Sequence, residues 1–250
     1  MIQCYLINLD RAPARLAFIS RRLQALGIPY SRLSAVDGSA MPEKDRTAFI
    51  ASRPRDGRTW SAGQIGCFMS HVKAWEKIAE GLEPYGVIIE DDVHVSDEAP
   101  AFLKSPNWIP ADADIVRLES TGQWLKLGKT SSRIDGRAVR RVRSTAWGAG
   151  AYVLSKSAAL KLLAVEPKLH SPVDDFLFNF KSSAVAKGLT VYQVAPALVE
   201  QDKFIANQSA SKGFGSDIET GKIFQRVRGI SAMLRSVVSV AKGKSPVNFR

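Results

Sequence analysis

Cysteine and histidine are scarce in this chain, which has two cysteines and three histidines among 250 residues. Cys4 and Cys67 both lie in apolar stretches, and their spacing matches no metal-binding or redox motif. We therefore expect free, buried thiols in a reducing compartment. Metal-dependent phosphoesterases and nucleases commonly recruit several histidine ligands, and three histidines serve such a site poorly.

Long apolar runs and the common nucleotide and hydrolase motifs are also missing. No segment is apolar over a length that spans a bilayer. The chain starts as a strand without a basic leader, so we expect no signal peptide and a cytoplasmic location. It contains no P-loop, no G-x-G-x-x-G and no G-x-S-x-G. Its 45% hydrophobic and 24% charged residues are typical of a soluble globular protein.

Acidic residues are sparse in the second half of the chain. Residues 1–120 carry 14 Lys/Arg and 16 Asp/Glu, whereas residues 121–250 carry 21 and 8. The whole net charge of +11 therefore comes from the second half. Such a surplus suits the phosphates of a nucleotide, a nucleic acid or an anionic lipid surface.

The most informative segment is a short apolar run, residues 85–89, that leads directly into Glu90, Asp91 and Asp92. Its β-branched residues predict a buried strand, and open α/β sheets place ligands at the carboxyl ends of strands. Alternation predicts Glu90 and Asp92 on one side and Asp91 on the other. Two such anions about 6 Å apart repel by about 3 kcal/mol at an effective dielectric of about 20. A hard divalent cation would offset that repulsion; a solvated acidic turn is the alternative.

The order of the elements predicts an α/β fold with a mostly parallel, twisted sheet flanked by helices. A strand over residues 2–9, a helix capped by Asp10 and ending at Gly27, and a strand over 28–36 form a βαβ opening. Residues 39–60 are predicted to be irregular with one helical turn, and a capping box at Ser61 starts a helix that ends at Gly81. Residues 121–137 are predicted to form a loop or hairpin. Further strands are predicted over residues 115–118, 139–143, 149–154 and 190–194, with helices from Ser155 or Ser157 and from Pro172.

We expect one catalytic domain over residues 1–220 and a basic tail over residues 221–250. The tail has seven basic residues and no acid from residue 222 onward, with apolar residues at helical spacing. That pattern predicts an amphipathic helix whose residues 222–244 contact an anionic membrane surface. An ordinary helix that packs on the domain is the alternative.

Other candidate residues lie on separate elements. Asp174 and Asp175 open a helix, where the helix dipole alone favours acids, but a carboxylate there also suits a general base. The segment with Asp10, Arg11 and Arg15 follows the first strand, at a position typical of phosphate sites; a capped, charged helix is the alternative. The three histidines, His71, His94 and His170, are weaker candidates, since a lone histidine is more often structural. Five arginines over residues 133–143 could face a diphosphate or be a solvated hairpin.

Several further segments follow one another along the chain in a recognisable order. They are residues 5–11 with Arg15, 34–38, 63–67 with Ser70, His71 and Trp75, 89–93, 147–155, 172–175, Pro196 with Gln201, and 216–218. Together they resemble glycosyltransferase family 25, the lipooligosaccharide β-galactosyltransferase family that includes collagen galactosyltransferases. The resemblance covers about residues 1–220, although residues 203–214 show no family pattern and leave the acceptor side unassigned.

The resemblance implies an inverting glycosyltransferase of the GT-A type that uses a UDP-sugar, with galactose favoured, and Mn²⁺ (or Mg²⁺). It implies an oligosaccharide or lipid-linked saccharide acceptor, such as lipopolysaccharide core, and a location on the inner face of the cytoplasmic membrane. The implied metal ligands are Glu90 and Asp92. The implied bases are Asp174 or Asp175, and the implied substrate-binding residues are Asp10, Arg11, Arg15, Asp37, His71, Glu90 and Asp91.

Three alternatives stay open at this point. A metal-dependent phosphoesterase would also use clustered acids. A basic nucleic-acid-binding protein would fit the charge, although the basic stretches lack interleaved aromatics and no nucleic acid is expected as partner. A sugar-nucleotide-binding relative without transferase activity is disfavoured by the intact acidic triplet.

Overall fold

The computed structural model describes residues 1–50, 59–165, 171–206 and 243–250. The strands are β1 (Gln3–Asn8), β2 (Ser31–Ser34), β3 (Tyr85–Glu90), β4 (Val93–Val95), β5 (Ile115–Arg117), β6 (Glu119–Ser120), β7 (Trp124–Leu125), β8 (Leu127–Ile134), β9 (Arg137–Val142), β10 (Ala151–Ser155), β11 (Val191–Ala195), β12 (Val199–Gln201) and β13 (Ser245–Pro246). The helices are α1 (Pro13–Ala25), α2 (Glu43–Phe49), α3 (Ala62–Glu80), α4 (Ala99–Lys104), α5 (Lys156–Ala164), α6 (Val173–Phe178), α7 (Ala184–Lys187) and α8 (Asp202–Ala206).

The large sheet has the strand order β2-β1-β3-β10-β5-β11-β9-β8. Strand β1 pairs in parallel with β2 and β3, and β11 pairs in parallel with β5. Strands β10 and β9 are antiparallel to their neighbours, so six of the eight strands run in one direction. The predicted α/β fold with a mostly parallel sheet is confirmed, and β1-α1-β2 is the predicted βαβ unit.

Helices cover both faces of this sheet. On one face, Phe68 and Trp75 of α3 pack with Phe176 of α6 and with residues of α5. On the other face, Ile19 of α1 and Phe102 of α4 belong to a second buried cluster. Residues of β3 alternate between the two clusters, which explains why this strand is apolar throughout.

Some local predictions are confirmed and others are wrong. The capping box at Ser61 is present at the start of α3. Asp10 does not cap α1, which follows Ala12 without a side-chain cap, because the Asp10 carboxylate is bound by Arg32 and Ser34 instead. Within residues 39–60 the described part contains α2, which at seven residues exceeds the predicted single turn.

The predicted hairpin within residues 121–137 is present. Strands β8 and β9 meet at Asp135 and Gly136, which both have positive φ. This two-residue turn matches the right-handed twist of the two strands.

A small sheet, β4-β12-β6, lies where β3 and β5 end. It brings α8 close to the acidic triplet, because the Asp202 N–H donates to the Asp92 carbonyl at 2.7 Å. Within the described ranges, every helix is too short or too polar to cross a membrane. Most of the basic tail lies outside the described residues, as does His170. The predicted tail helix and the domain boundary at residue 220 therefore stay predictions.

Candidate active site

A cleft of about 130 Å³ opens where β1, β2 and β3 end, at the carboxyl edge of the sheet. Its walls come from the segments after β1 and β2, from the first half of α3, from the acidic triplet and from the region around α8. The lining side chains that carry chemistry are Asn8, Arg11, Arg15, Asp37, Cys67, Ser70, His71, Glu90, Asp91, Asp92, Gln201 and Lys203.

Two glycines let α3 form one wall of the cleft. A Cβ on Gly66 would lie 2.3 Å from the Val36 carbonyl oxygen, and a Cβ on Gly38 would lie 1.9 Å from that of Ala62. The helix therefore touches the backbone after β2 directly. Ser70 fastens the contact, since its hydroxyl accepts from the Val36 N–H at 2.8 Å and donates to the Gly66 carbonyl at 2.6 Å. The next residue, His71, is thereby held at the cleft.

Asp91 lies in a buried ion pair at the base of the cleft. Its carboxylate accepts from Asn8 Nδ2 at 2.6 Å and pairs with the Arg15 guanidinium, also at 2.6 Å. Burial raises the pKa of Asp91 despite these two partners. Asp91 therefore serves to hold Arg15 beside the end of β3.

Asp92 is the least satisfied carboxylate in the cleft. One oxygen, Oδ2, lies 3.3 Å from the Arg15 guanidinium, while the buried Oδ1 has no hydrogen-bond partner in the part of the chain that the structure describes. Burial, and then the neighbouring charge of Glu90, raise the pKa of Asp92 to about 7. The protein's own cations thus leave negative charge here incompletely offset.

Glu90 is held by donors from three directions. His71 Nε2 lies 3.1 Å and Cys67 Sγ 3.7 Å from its Oε1, and Gln201 Nε2 lies 3.4 Å from its Oε2. Burial opposes ionisation, but the hydrogen bond from His71 and the nearby positive charges of Lys203 and Arg15 outweigh it, and the pKa of Glu90 is lowered. Glu90 remains one-fifth exposed and faces the cleft.

The prediction that Asp91 faces away from Glu90 and Asp92 is wrong. Strand β3 ends at Glu90, and Asp91 and Asp92 lie in a turn where the alternation of a strand no longer applies. Arg15 consequently contacts both aspartates, and all three acids line the same cleft.

The remaining predicted residues divide between the cleft and its surroundings. Arg11 and Asp37 line it and pair at 2.7 Å, and the Arg11 hydrogen bond lowers the pKa of Asp37. Asp10 is not among the lining residues.

His94 turns away from the cleft, with its Nε2 2.8 Å from Asp202 Oδ1. The arginines of residues 133–143 lie on the β8–β9 hairpin, and Arg137 is buried against Glu98.

Asp174 and Asp175 begin α6, but their surroundings differ. Asp174 accepts the Gly148 N–H on Oδ2 and the Asp175 N–H on Oδ1, both at 2.9 Å. The negative charge of Asp174 contributes to the raised pKa of Cys67, at the cleft wall, and to that of Glu119. Asp175 accepts from Asn179 at 3.0 Å, and burial raises its pKa. Neither aspartate is among the cleft-lining residues, but Asp174 is the one connected to Glu90, because the Gly150 carbonyl, two residues after Gly148, accepts the Glu90 N–H at 2.8 Å.

Comparisons of the sequence with known proteins identify the family of the chain. The sequence model of glycosyltransferase family 25 (LPS biosynthesis protein) matches residues 1–177. The chain belongs to glycosyltransferase family 25. It is 30% identical over 239 residues to the lacto-N-neotetraose biosynthesis glycosyltransferase LgtB of Neisseria meningitidis, covering 90% of this chain and 85% of that protein.

Two further relatives of this family 25 glycosyltransferase come from different sources. The lipooligosaccharide biosynthesis protein lex-1 of Haemophilus influenzae is 31% identical over 167 residues, covering 62% of this chain and 54% of that protein. Procollagen galactosyltransferase 1-B of Xenopus laevis is 26% identical, covering 90% of this chain and 39% of that protein. The predicted family is thus confirmed, and the phosphoesterase and nucleic-acid alternatives receive no support.

Sequence reasoning missed several residues of this family 25 site. Asn8 and Gln201 belong to segments that resemble the family but, as neutral strand residues, suggested no site role, and Lys203 follows a strand of only three residues. Outside the residues that line the cleft, the buried side chains of Arg117 and Glu119 lie 3.6 Å apart, and burial raises the pKa of Glu119 to about 8. Arg117 ends β5 and Glu119 follows it closely. Both could have been predicted near the site, because the carboxyl edge of the sheet was already expected to bind the ligand.

The residues of the cleft fit a divalent cation. The buried Asp92 Oδ1 lacks a donor among the described residues, and Glu90 and Asp92 are close enough for the charge of one to raise the pKa of the other. Carboxylate oxygens are the ligands that Mn²⁺ and Mg²⁺ prefer. A different set of three atoms, from Cys67, His71 and Glu90, also lies within 4.8 Å of one another.

Proposed function

We propose that this family 25 glycosyltransferase transfers a hexose, galactose by preference, from a UDP-sugar to a saccharide acceptor and inverts the anomeric centre. The observation that carries the proposal is the position of two acidic groups. Glu90 and Asp92 line a cleft at the carboxyl edge of a mostly parallel sheet, and Asp174, on a separate helix, is connected to Glu90 through the backbone of Gly148 and Gly150. Glu90 and Asp92 suit a cation that neutralises the leaving diphosphate, and Asp174 suits the deprotonation of an attacking hydroxyl.

The basic residues of the cleft suit the donor's phosphates. Arg11, Arg15 and Lys203 all line the same volume as the acidic triplet. Guanidinium groups bind phosphate oxygens through two parallel N–H donors. Asp37, one-quarter exposed on the same wall, is placed to accept hydrogen bonds from donor hydroxyls. The GT-A type implied by the resemblance uses the same edge of its sheet for the nucleotide.

Glu90 and Asp92 would hold Mn²⁺ or Mg²⁺. A bound divalent cation supplies Lewis-acid neutralisation of the UDP leaving group. The chain's own contribution is to hold these carboxylates in the cleft, and Arg15, held by Asp91, adds positive charge beside Asp92.

Asp174 would act as the general base. It takes the proton of the acceptor hydroxyl as the hydroxyl oxygen bonds to C1 of the sugar and the bond from C1 to the UDP oxygen breaks. Attack opposite the leaving group inverts C1. The two backbone N–H donors fix the carboxylate, so that little reorganisation precedes the proton transfer.

The acceptor proposed is a lipid-linked saccharide of the lipopolysaccharide core type. The roles of the Neisseria and Haemophilus relatives in lacto-N-neotetraose and lipooligosaccharide biosynthesis support this class, and the Xenopus galactosyltransferase supports galactose as the donor sugar. The basic tail would keep the enzyme on the inner face of the cytoplasmic membrane. Co-sedimentation with phosphatidylglycerol vesicles, but not with phosphatidylcholine vesicles, tests that part.

Transfer assays test the function directly. UDP-galactose, UDP-glucose and UDP-N-acetylglucosamine are each incubated with a truncated lipooligosaccharide core, and the product anomer is assigned by NMR. The proposal predicts transfer from one UDP-sugar, with a β-linked product from the α-linked donor. An α-linked product would contradict inversion. Absence of transfer from every UDP-sugar to core saccharides would contradict the proposed substrates.

A further inference from the structure

A chain of buried hydrogen bonds runs from the core to Glu90. Trp75 Nε1 lies 2.8 Å from the Tyr152 hydroxyl, which lies 2.9 Å from His71 Nδ1, and His71 Nε2 lies 3.1 Å from Glu90 Oε1. Trp75, Tyr152 and His71 are fully buried. The His71 and Tyr152 rings also stack, with an interplanar angle of 13°.

Donor and acceptor chemistry fixes the direction of this chain. The indole nitrogen of Trp75 only donates, so the Tyr152 oxygen accepts there. The single Tyr152 proton has one acceptor within reach among the described residues, which is His71 Nδ1. At the other end, a carboxylate only accepts, so His71 Nε2 must carry the proton. Both ends of the ring therefore select the same tautomer, with Nδ1 bare and Nε2 protonated.

This assignment decides between two roles for His71. The approach of Cys67, His71 and Glu90 to within 4.8 Å would suit a metal that prefers sulfur and nitrogen. A histidine ligates through a bare nitrogen, however, and the bare nitrogen here faces Tyr152 and not the cleft. His71 thus presents a donor to Glu90 and not a lone pair to a cation.

The geometry points to His71 as a positioning residue that fixes the Glu90 carboxylate for cation binding, with Tyr152 and Trp75 selecting its tautomer. His71 binds Oε1 and leaves Oε2, which accepts a long hydrogen bond from Gln201 at 3.4 Å, as the oxygen for the cation. Such outer-shell hydrogen bonds orient carboxylate ligands in metal sites, and their loss typically weakens metal binding by about 10-fold to 100-fold. The inference rests on the cation site of the proposed function.

Two substitutions separate positioning from ligation. Tyr152→Phe removes the donor to Nδ1 and leaves the ring volume intact. His71→Gln keeps an N–H donor near the position of Nε2 but removes the imidazole nitrogen, whereas His71→Ala removes both. Tyr192→Phe is the matched control, because Tyr192 is another buried tyrosine whose hydroxyl bonds Asp112 at 2.8 Å, away from the cleft.

The measurement is the dissociation constant of Mn²⁺, obtained from the EPR signal of the free ion with full-length protein, alongside a melting temperature for each variant. We expect Tyr152→Phe and His71→Ala to weaken Mn²⁺ binding about 10-fold. We expect Tyr192→Phe to lower the melting temperature without changing Mn²⁺ binding. His71→Gln should bind Mn²⁺ within about threefold of the unchanged protein, since it keeps the donor.

The contrary results distinguish failure of the inference about His71 from failure of the proposed cation site. If Tyr152→Phe matches Tyr192→Phe in Mn²⁺ affinity, the inference fails while the cation site stands. If His71→Gln loses Mn²⁺ as completely as His71→Ala, His71 is a ligand and the inference is wrong. If the wild-type protein binds no Mn²⁺, the proposed cation site is wrong, and so is the inference that rests on it.

Discussion

Gly148 donates its backbone N–H to Asp174 Oδ2 at 2.9 Å, and two residues later the Gly150 carbonyl accepts the Glu90 N–H at 2.8 Å. The segment 148–150 thus connects the proposed base to the proposed cation site. Gly148 has a φ of +84°, and a Cβ there would lie 2.4 Å from Glu119 Oε1. Only glycine suits this position.

Gly148→Ala should therefore impair catalysis beyond its effect on stability. The added methyl group meets the buried Glu119 and displaces the N–H that holds Asp174. Gly27→Ala is the control, because Gly27 also has positive φ but a Cβ there meets nothing within 4 Å. Both variants should lose about 1 kcal/mol of stability to backbone strain. A kcat for Gly148→Ala as high as that of Gly27→Ala would contradict the link to Asp174.

Asp174→Asn and Asp175→Asn should differ in their effect on turnover. A general base typically contributes about 10²-fold to 10⁴-fold, so Asp174→Asn should lower kcat by at least about 100-fold. Asp175→Asn should lower it by less than about tenfold, because Asp175 pairs with Asn179 and not with the segment beside Glu90. Steady-state kinetics with saturating donor measure both. The reverse order of effects would assign the base to Asp175.

Trp147 is predicted to bind the acceptor sugar. Its side chain is 57% exposed although it is large and apolar, and its carbonyl is held by Arg117 at 2.6 Å, next to Gly148. An aromatic face contributes about 0.5–1.5 kcal/mol in a packed pair, so Trp147→Ala should raise the acceptor KM by about twofold to twelvefold. The donor KM should not change.

The control for this substitution is Leu82→Ala, which removes a 98% exposed side chain at the opposite edge of the sheet. Trp147→Phe should retain most of the acceptor affinity. An acceptor KM for Trp147→Ala equal to that of Leu82→Ala would show that the indole does not contact the acceptor.

Glu119 should make the protein less stable as the pH rises. Burial raises the pKa of Glu119 to about 8 in the folded state, above an ordinary value of 4.5. Between these values the folded state binds the proton and the unfolded state does not, so stability falls across that interval. One group contributes at most about 1.4 kcal/mol per pH unit. Urea unfolding at pH 5, 6.5 and 8 measures the slope.

Glu119→Gln should flatten that slope, because the amide cannot ionise. Glu98→Gln is the control, since Glu98 is half exposed and its pKa is lowered, first by a hydrogen bond from Ser96. An unchanged slope in Glu119→Gln would show that Glu119 is ionised at low pH in the folded protein.

The sequence predicted those parts of the fold that local patterns determine. The capping box at Ser61, the β1-α1-β2 unit and the buried β3 all follow from residue type and spacing. The carboxyl-edge rule correctly predicted that the acidic triplet lies at the ligand-binding edge of the sheet, although not that Asp91 shares a side with Glu90 and Asp92.

Long-range contacts account for what the sequence could not predict. Asp10 looked like a cap, but Arg32 and Ser34 on the neighbouring strand bind it. The sequence made His71 a substrate-binding candidate, but no local pattern predicts its contacts with Tyr152 and Glu90. Antiparallel β10, inserted between β3 and β5, brings Gly148 and Gly150 to the site, and no local pattern fixes that order.

The most direct test measures whether Glu90 and Asp92 bind a cation that UDP-sugar binding requires. Thermal shifts with UDP-galactose are recorded with and without Mn²⁺ for the unchanged protein, Asp92→Asn and Asp97→Asn, an aspartate that is 84% exposed outside the cleft. The account predicts a joint stabilisation by Mn²⁺ and UDP-galactose that Asp97→Asn keeps and Asp92→Asn loses. The same joint stabilisation in Asp92→Asn would contradict it.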